Sequence, residues 1–114
     1  MEERRKERRR HLYYYSRVFD EQTHEMAGRL VDITKSGLML ISEKPAQKDT
    51  VYKFKVVLPE PIDGQRALEI VAKSKWSRQT SYQDLYDNGF QITDISNQAV
   101  NTLNRLVNRA GANL

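Results

Sequence analysis

The N-terminal segment is the part of the chain whose residue types most directly suggest chemistry. Five arginines stand within positions 4–10, and residues 1–10 hold six basic and three acidic side chains, a net charge of +3. The planar guanidinium group binds phosphate through paired hydrogen bonds and stacks on aromatic rings, which lysine does less well. We interpret this segment as an anion-binding arm, with a solvated tail that aids solubility as the alternative.

A second group of candidate residues lies further along the chain, in the sequence Asp32-Ile33-Thr34-Lys35-Ser36-Gly37. The Asp32 carboxylate can accept hydrogen bonds, and the hydroxyls of Thr34 and Ser36 can donate or accept them. Gly37 is predicted to take a positive φ and to leave room for a ligand, because it has no side chain. The alternative for Asp32 and Thr34 is a local turn in which the side chains bond only neighbouring backbone.

The remaining composition argues against several functional classes. The chain has no cysteine and only two histidines, His11 and His24, so neither a thiolate site nor a metal site is predicted. No H-E-x-x-H, G-x-S-x-G or phosphate-cradling glycine loop is present, so we predict no enzyme, no catalytic residue and no cofactor. No apolar run approaches the roughly 20 residues needed to cross a bilayer, and no secretory signal is recognisable. A soluble, cytoplasmic protein without membrane insertion is predicted.

Most of the chain that must position these groups has the pattern of short strands. The first predicted strands are Tyr13–Phe19 and Gly28–Thr34, and the apolar run Leu38–Ile41 is typical of a strand buried on both faces. The next strand alternates apolar residues with Lys53 and Lys55, as a half-buried strand does; its apolar side is formed by Tyr52, Phe54, Val56 and Leu58.

The second half of the chain continues this pattern. Asp63-Gly64 predicts a hairpin turn. The strand after it is predicted to bury one face, made of Leu68, Ile70, Ala72 and Trp76. The segment 77–87 is predicted to be a loop, and a short strand follows with Phe90 and Ile92 inward. Trp76 and Phe90 are both assigned to the core.

The C-terminal segment changes to helical spacing. Ser96 is a good N-cap, Gly111 is a plausible stop, and one apolar face is formed by Val100, Leu103, Leu106 and Val107. We therefore predict a flexible basic arm over residues 1–11 and a single domain over residues 12–114, with a helix at about 96–109. Six short antiparallel strands followed by one helix favour a closed barrel, which leaves no exposed sheet edge.

In this order, these features resemble the PilZ domain family. Three of them are similar: the arginine-rich segment before the first strand, the Asp32–Gly37 turn ahead of an apolar strand, and Trp76-Ser77-Arg78 followed by Gly89-Phe90-Gln91 and a helix. The family's turn has Asp or Asn, then Ser, then Gly, and Thr34 replaces the serine here. The resemblance implies a mainly β protein: a six-stranded antiparallel, split-barrel-type β-barrel with a C-terminal α-helix.

The resemblance also implies a ligand, cyclic di-GMP, and a role as a receptor that relays the level of this bacterial second messenger. The relay would act on motility, polysaccharide or virulence machinery through a protein effector. Arginine can bind the phosphates, stack on the guanines and read their O6 and N7 atoms, and Asp32 can accept from guanine N–H groups. The residues expected to bind cyclic di-GMP are Arg5, Arg8, Arg9, Arg10, Asp32, Thr34, Ser36 and Gly37.

Two alternatives stay open at this stage. The family's arginine pair, Arg-x-x-x-Arg, matches Arg4 with Arg8 or Arg5 with Arg9, but counting back from the first strand puts it at Arg9 and Tyr13. With that register one phosphate contact is missing, and Tyr13 could only stack on a guanine. The alternative is a degenerate domain that binds no nucleotide and acts through a protein partner. A nucleic-acid binder is disfavoured, because residues 11–114 have a net charge of only +1, so no DNA or RNA partner is predicted.

Overall fold

Six strands and one helix make up the described part of the protein. The computed structural model describes residues 16–82 and 84–112, with side chains described as far as residue 105. In chain order the elements are β1 Arg17–Asp20, β2 Met26–Ile33, β3 Gly37–Ser42, β4 Val51–Ile62, β5 Gln65–Gln79, β6 Tyr86–Ile95 and α1 Asn97–Ala112.

The strands form a closed antiparallel barrel in the order β1-β2-β3-β6-β5-β4, with β4 pairing back to β1. The predicted fold class is therefore confirmed. Apolar residues on the inward side of each strand fill the barrel, as the alternation along β4 predicts: Phe54, Val56 and Leu58 are buried, and Lys53 and Lys55 are exposed. This alternation follows from the two-residue period of a strand, which turns successive side chains to opposite faces.

The local sequence explains the hairpin that joins β4 to β5. Ile62 pairs with Gln65, so Asp63 and Gly64 form a two-residue turn in which both φ angles are positive, 53° and 79°. This is the backbone of a type I′ turn, whose twist matches that of the strands and for which Asp-Gly is a preferred sequence. The hairpin predicted from Asp63-Gly64 is confirmed.

The helix α1 closes one end of the barrel, at the end where β2, β4 and β6 finish. Ser96 caps it: the Ala99 N–H donates to Ser96 Oγ at 3.0 Å, and the Val100 N–H donates to the Ser96 carbonyl at 2.9 Å. Ala99 and Leu103 are buried in the same cluster as the barrel core. The helix continues to Ala112, so Gly111 does not end it as predicted.

The strands β5 and β6 extend further than the sequence pattern indicates. β5 runs to Gln79 and β6 begins at Tyr86, so the predicted loop over residues 77–87 is largely strand. Residues 75–79 are exposed on both faces, because β5 projects beyond its neighbour β4, and a strand exposed on both faces has no apolar alternation to recognise. The strand β3 also differs from its prediction: Leu38 and Leu40 are buried, but Met39 and Ile41 are only half-buried.

Two β-bulges determine which side chains face outward near the candidate site. The pairing of β2 with β3 shifts between Leu30 and Asp32, and the pairing of β5 with β6 shifts between Ser74 and Trp76. Each shift inserts one residue, which reverses the inward and outward positions that follow it. Leu30 and Ser74 are therefore buried, whereas Asp32 is half-buried and Trp76 is 43% exposed.

Candidate functional site

The turn between β2 and β3 is held by its own side chains. The Thr34 N–H donates to the Gly37 carbonyl at 2.8 Å, and Thr34 Oγ1 accepts from the N–H groups of Ser36 and Gly37 at 3.3 and 3.2 Å. The Ile92 N–H on β6 donates to the Ser36 carbonyl at 2.9 Å. Thr34, Lys35 and Ser36 are exposed at the tip. The Thr34 hydroxyl thus has a structural role, and any ligand contact would be additional to it.

Gly37 does not have the positive φ that the sequence predicted; among the described glycines, Gly28 and Gly64 do. The turn closes through the Thr34 side chain, so no left-handed residue is needed. A Cβ atom at Gly37 would lie 2.9 Å from the Phe90 carbonyl oxygen on β6, closer than real Cβ contacts allow. Glycine at this position therefore permits close pairing of β3 with β6.

Asp32 lies on the outer face of β2, directly opposite Met39 on β3. One of its oxygens, Oδ1, accepts from the Ile33 N–H at 2.9 Å, which is the local bond that the turn alternative predicts. A carboxylate has about four acceptor positions, so this bond leaves capacity for further donors. The carboxylate is half-buried and can still be reached from outside the barrel.

The strand register places further residues beside Asp32 and Met39 on the outer face of the barrel. Asp32, Met39, Gly89 and Trp76 are called the outer row below. Met39 pairs with Gly89 on β6, and Gly89 pairs with Trp76 on β5. Asp32, Met39 and Trp76 therefore all lie on the outer face of the sheet. Because adjacent strands are about 4.8 Å apart, Asp32 and Trp76 are separated by about 14 Å along the wall of the closed barrel. The assignment of Trp76 to the core was wrong, while that of Phe90, 6% exposed, is confirmed.

The indole of Trp76 lies flat on Gly89. A Cβ atom at Gly89 would come within 2.6 Å of Cζ2 of Trp76 and closer still to Cε2 and Nε1. Only a residue without a side chain leaves the ring in this position, where 43% of the Trp76 surface is accessible. Sequence reasoning missed Trp76 and Gly89 as a pair, because their contact depends on the bulge in β5.

Arg78 lies beside Trp76, at the β5 end of the outer row. Its guanidinium carbon lies 5.4 Å from the centre of the Trp76 ring, and its Nη2 lies 3.6 Å from Oδ2 of Asp87 on β6. A guanidinium group over an indole is a favourable cation–π arrangement. The surface thus combines a carboxylate at one end with an aromatic ring and an arginine at the other.

The N-terminal arm must join the barrel next to this surface. The Leu30 N–H donates to the Ser16 carbonyl at 2.8 Å, so the chain enters β1 beside β2, two residues from Asp32. Arg9 and Arg10 precede Ser16 by seven and six positions. An extended chain covers at most about 3.6 Å per residue, which gives these arginines a reach of about 20–25 Å. Four predicted ligand residues lie outside the described residues: Arg5, Arg8, Arg9 and Arg10.

A surface groove of about 770 Å³ opens at the other end of the barrel. Met26, Lys44 and Tyr52 are among the residues that line it, and the predicted site residues of the Asp32–Gly37 turn are not. The outer row therefore lies apart from this groove. The described residues contain no cluster of three or more side chains that could hold a metal ion.

The PilZ domain model matches residues 3–109 of the chain. This chain belongs to the PilZ domain family. The match includes both the arginine-rich arm and the barrel, so the recognition made from the sequence is confirmed. PilZ domains are receptor and adaptor domains, and the outer row described above lies where the PilZ turn, Asp32–Gly37, meets the barrel surface.

One solved structure with a similar fold is that of the Bacillus subtilis inhibitor of motility, MotI/DgrA, with a TM-score of 0.61 and 13% sequence identity. The alignment covers 82% of this chain and 44% of the other, so the present PilZ domain spans less than half the length of that protein. No curated protein sequence matches significantly. In the described part of the domain, no helix is long and apolar enough to cross a membrane.

Proposed function

We propose that this PilZ domain is a receptor for cyclic di-GMP. The observation that supports the proposal best is the outer row itself: Asp32, Met39, Gly89 and Trp76 are consecutive cross-strand neighbours on four strands. The row begins two residues from the point where the arginine-rich arm enters the barrel. A carboxylate, an aromatic face and a set of arginines match the donors, the rings and the phosphates of this dinucleotide.

Each part of the row has a distinct task in this proposal. The exposed part of the Trp76 indole stacks on one guanine, a contact worth about 1–3 kcal/mol for bases on aromatic side chains. Asp32 accepts from the N1–H and N2–H groups of a guanine, which are donors and require an acceptor. The arm arginines bind the phosphates bidentately and fold over the ligand, because contacts to the barrel surface alone leave the other side of the ligand in water.

The proposed output is an adaptor function. Folding of the arm over the ligand changes the surface that a protein effector meets, which converts ligand binding into partner binding. The similar structure belongs to an inhibitor of motility, which supports motility machinery as one class of effector, beside polysaccharide and virulence machinery. We also propose a cytoplasmic location, where a soluble second messenger would be available to the domain.

A second candidate is a PilZ domain that binds no nucleotide and acts only through a protein partner. Two observations favour it. The Thr34 hydroxyl and one Asp32 oxygen already have backbone partners within the turn. Tyr13 occupies a position where the family pattern can place an arginine, and a phenol cannot neutralise a phosphate.

Titration calorimetry with cyclic di-GMP separates the two candidates. The native protein should bind, Trp76→Ala should bind about 5- to 150-fold more weakly, Arg9→Ala should also bind more weakly, and Tyr82→Ala should bind normally. Tyr82 is a matched control, because it is an exposed aromatic residue in the loop after β5, with 70% of its surface accessible. If the native protein does not bind but Tyr13→Arg does, the second candidate is correct.

The salt dependence of binding tests the nucleic-acid alternative. A protein that contacts a phosphate chain releases many counterions, so its affinity for DNA or RNA falls steeply with added salt. Cyclic di-GMP has two charges, and its affinity should fall far less. Binding of a random oligonucleotide with equal or higher affinity at physiological salt would contradict the receptor proposal.

A further inference from the structure

One stretch of β5 has a partner strand on only one side. Residues 75–79 pair with β6, whereas the pairing of β5 with β4 extends only to Lys73. Ser74 makes the last backbone contacts on the β4 side: its N–H donates to the Thr50 carbonyl at 2.9 Å, and its carbonyl accepts from the Asp49 N–H at 3.0 Å. Within the described part of the chain, no strand pairs with the β4 side of residues 75–79, which we call the open edge.

The backbone at Asp49 explains why the open edge begins there. Asp49 has a φ of 55°, in the left-handed region, so the chain before β4 does not continue as a strand along β5. It turns toward Tyr52 instead: the Gln47 N–H donates to the Tyr52 hydroxyl at 3.1 Å, and the Gln47 carbonyl accepts from the Ser74 hydroxyl. The open edge that remains is about 17 Å long.

The backbone groups of Ser77 point out of the open edge. The Thr80 N–H donates to the Leu85 carbonyl at 2.9 Å, so the backbone groups of Thr80 face β6. Successive residues of a strand direct their N–H and C=O groups to opposite sides, so Arg78 and Trp76 also face β6 and Ser77 faces away from it. Ser77 is exposed. An exposed N–H and C=O in the middle of an edge are a template for pairing with another strand.

Exposed apolar side chains lie beside the same edge. Trp76 points outward from β5 and is 43% exposed, and Val51, at the start of β4, is 55% exposed. In the described part of the protein, these are two of the four large apolar side chains that are exposed. An edge with unpaired backbone groups and neighbouring apolar surface is a site at which another chain can bind.

The residues of the open edge are complementary to a second copy of themselves. When two copies of residues 75–79 pair antiparallel about a twofold axis at Ser77, the two Ser77 residues exchange their N–H···O=C bonds, and Trp76 of each copy lies opposite Arg78 of the other. Trp76 and Arg78 then form a non-hydrogen-bonded pair, in which side chains approach most closely. Arg78 already lies over the indole of its own chain, 5.4 Å from the ring centre, and the second copy adds another guanidinium group beside each ring.

We propose that the open edge of β5 is a self-association surface, through which two copies of this domain form a symmetric dimer with a continuous sheet β6-β5-β5-β6. The inference goes beyond the proposed function, because it requires no nucleotide. Each barrel lies before residue 75 of its own β5, so antiparallel pairing places the two barrels at opposite ends of the ladder. The ladder is short, so the dimer is expected to be a transient one.

The charges at the open edge select this register. Lys75 lies opposite Gln79, and the two Lys75 residues are about 14 Å apart along the ladder, beyond the Debye length at ordinary salt. A shift of two residues in one direction would place Arg78 opposite Arg78, which destabilises a sheet. A shift in the other direction is blocked, because it would require the β4 side of Ser74, which is already bonded to Thr50.

The test measures self-association by sedimentation velocity, from micromolar to millimolar protein and without cyclic di-GMP. Ser77→Pro removes the central N–H of the open edge, and proline is tolerated in a strand where the N–H points away from the neighbouring strand. Ser77→Ala is its matched control, because it loses the hydroxyl bond to Asn88 but retains the backbone N–H. Arg78→Ala is compared with Arg66→Ala, which removes an exposed arginine from the start of the same strand.

We expect a concentration-dependent dimer in the native protein, in Ser77→Ala and in Arg66→Ala. Ser77→Pro should stay monomeric, and Arg78→Ala should weaken association at least about fivefold, because each dimer loses two cation–π contacts. The Ser77 amide of the native protein should exchange with solvent more slowly as the protein concentration rises, which NMR measures residue by residue. Thermal unfolding checks that each variant folds; if Ser77→Pro does not, Arg78→Ala and the Ser77 amide decide.

Three outcomes overturn the inference. The first is a native protein that is monomeric at every concentration, and the second is a dimer that a folded Ser77→Pro variant retains, which must use another surface. The third is a Ser77 amide that is protected equally at every concentration, because the edge is then covered within one copy, for example by the N-terminal arm. None of these outcomes affects the receptor proposal, and a dimer that binds no cyclic di-GMP would refute that proposal while supporting the self-association surface.

Discussion

Gly89→Ala tests most directly whether the flat indole surface of Trp76 binds the ligand. The added Cβ atom would overlap the ring, lying within 2.6 Å of Cζ2, so the indole must rotate away from β6. The backbone itself tolerates alanine, since Gly89 is not among the described residues with positive φ. The substitution therefore moves one ring without deleting it.

The expected loss of affinity follows from the stacking contact that the displaced ring would no longer make. If Trp76 stacks on a guanine, displacement of the ring costs about 1–3 kcal/mol of binding free energy, a factor of about 5 to 150 in Kd. The cost to folding should be smaller, about 1 kcal/mol, because a ring that is 43% exposed can move into solvent rather than compress the core. That corresponds to a fall of about 4–8 °C in the unfolding temperature.

The assay is calorimetric titration of cyclic di-GMP with Gly89→Ala, Trp76→Ala and the double variant. Residues in contact are expected to be non-additive, so the double variant should bind no more weakly than Trp76→Ala alone. Unchanged affinity in Gly89→Ala would refute the stacking role of Trp76. A further loss of affinity when Gly89→Ala is added to Trp76→Ala would show that Gly89 acts through something other than the ring.

Four further substitutions test the fold and the turn. Ser96→Ala should cost about 1 kcal/mol in urea unfolding, since it removes the acceptor of the Ala99 N–H, whereas Ser96→Asp should not; equal loss in both would contradict the cap. Gly64→Ala should cost about 1–2 kcal/mol from its φ of 79° alone, because a Cβ there has no neighbour within 4 Å, and an unchanged midpoint would refute this. Asn88→Ala should cost about 2–4 kcal/mol, because its buried amide bonds β3, β5 and the loop after β3; a loss below that of Ser96→Ala would exclude such a role. Asp32→Asn should fold normally, because an amide oxygen can also accept from the Ile33 N–H, yet bind cyclic di-GMP more weakly; native-like affinity would remove Asp32 from the site.

Local sequence was sufficient to predict the features that depend only on residues adjacent in the chain. The alternation of Phe54 and Val56 with Lys53 and Lys55 predicts a half-buried strand, and the structure has one. Asp-Gly predicts the tight hairpin at 63–64 because these residues tolerate positive φ. The PilZ recognition also came from residue order alone, and the family match confirms it.

Errors arose where the outcome depends on pairing between distant segments. Trp76 is an even number of residues from Leu68, Ile70 and Ala72, so the two-residue period of a strand assigns it to the core. The one-residue bulge after Ser74 turns its side chain outward. No residue preference encodes such a bulge, because it adjusts β5 to the register of β6. The prediction of a positive φ for Gly37 was wrong because it considered only the turn itself. Glycine is required there because the Phe90 carbonyl on β6 approaches closely.

The same distinction between local sequence and strand pairing applies to the candidate site. The sequence by itself determined the chemistry available: an arginine-rich arm, the Asp32–Gly37 turn, and a domain of the PilZ family. Only the tertiary structure decided the arrangement, in which Asp32 and Trp76 share one outer row. The physical reason is that residue types set which interactions a side chain can make, while the register of a closed barrel, which depends on all six strands at once, sets which side chains meet.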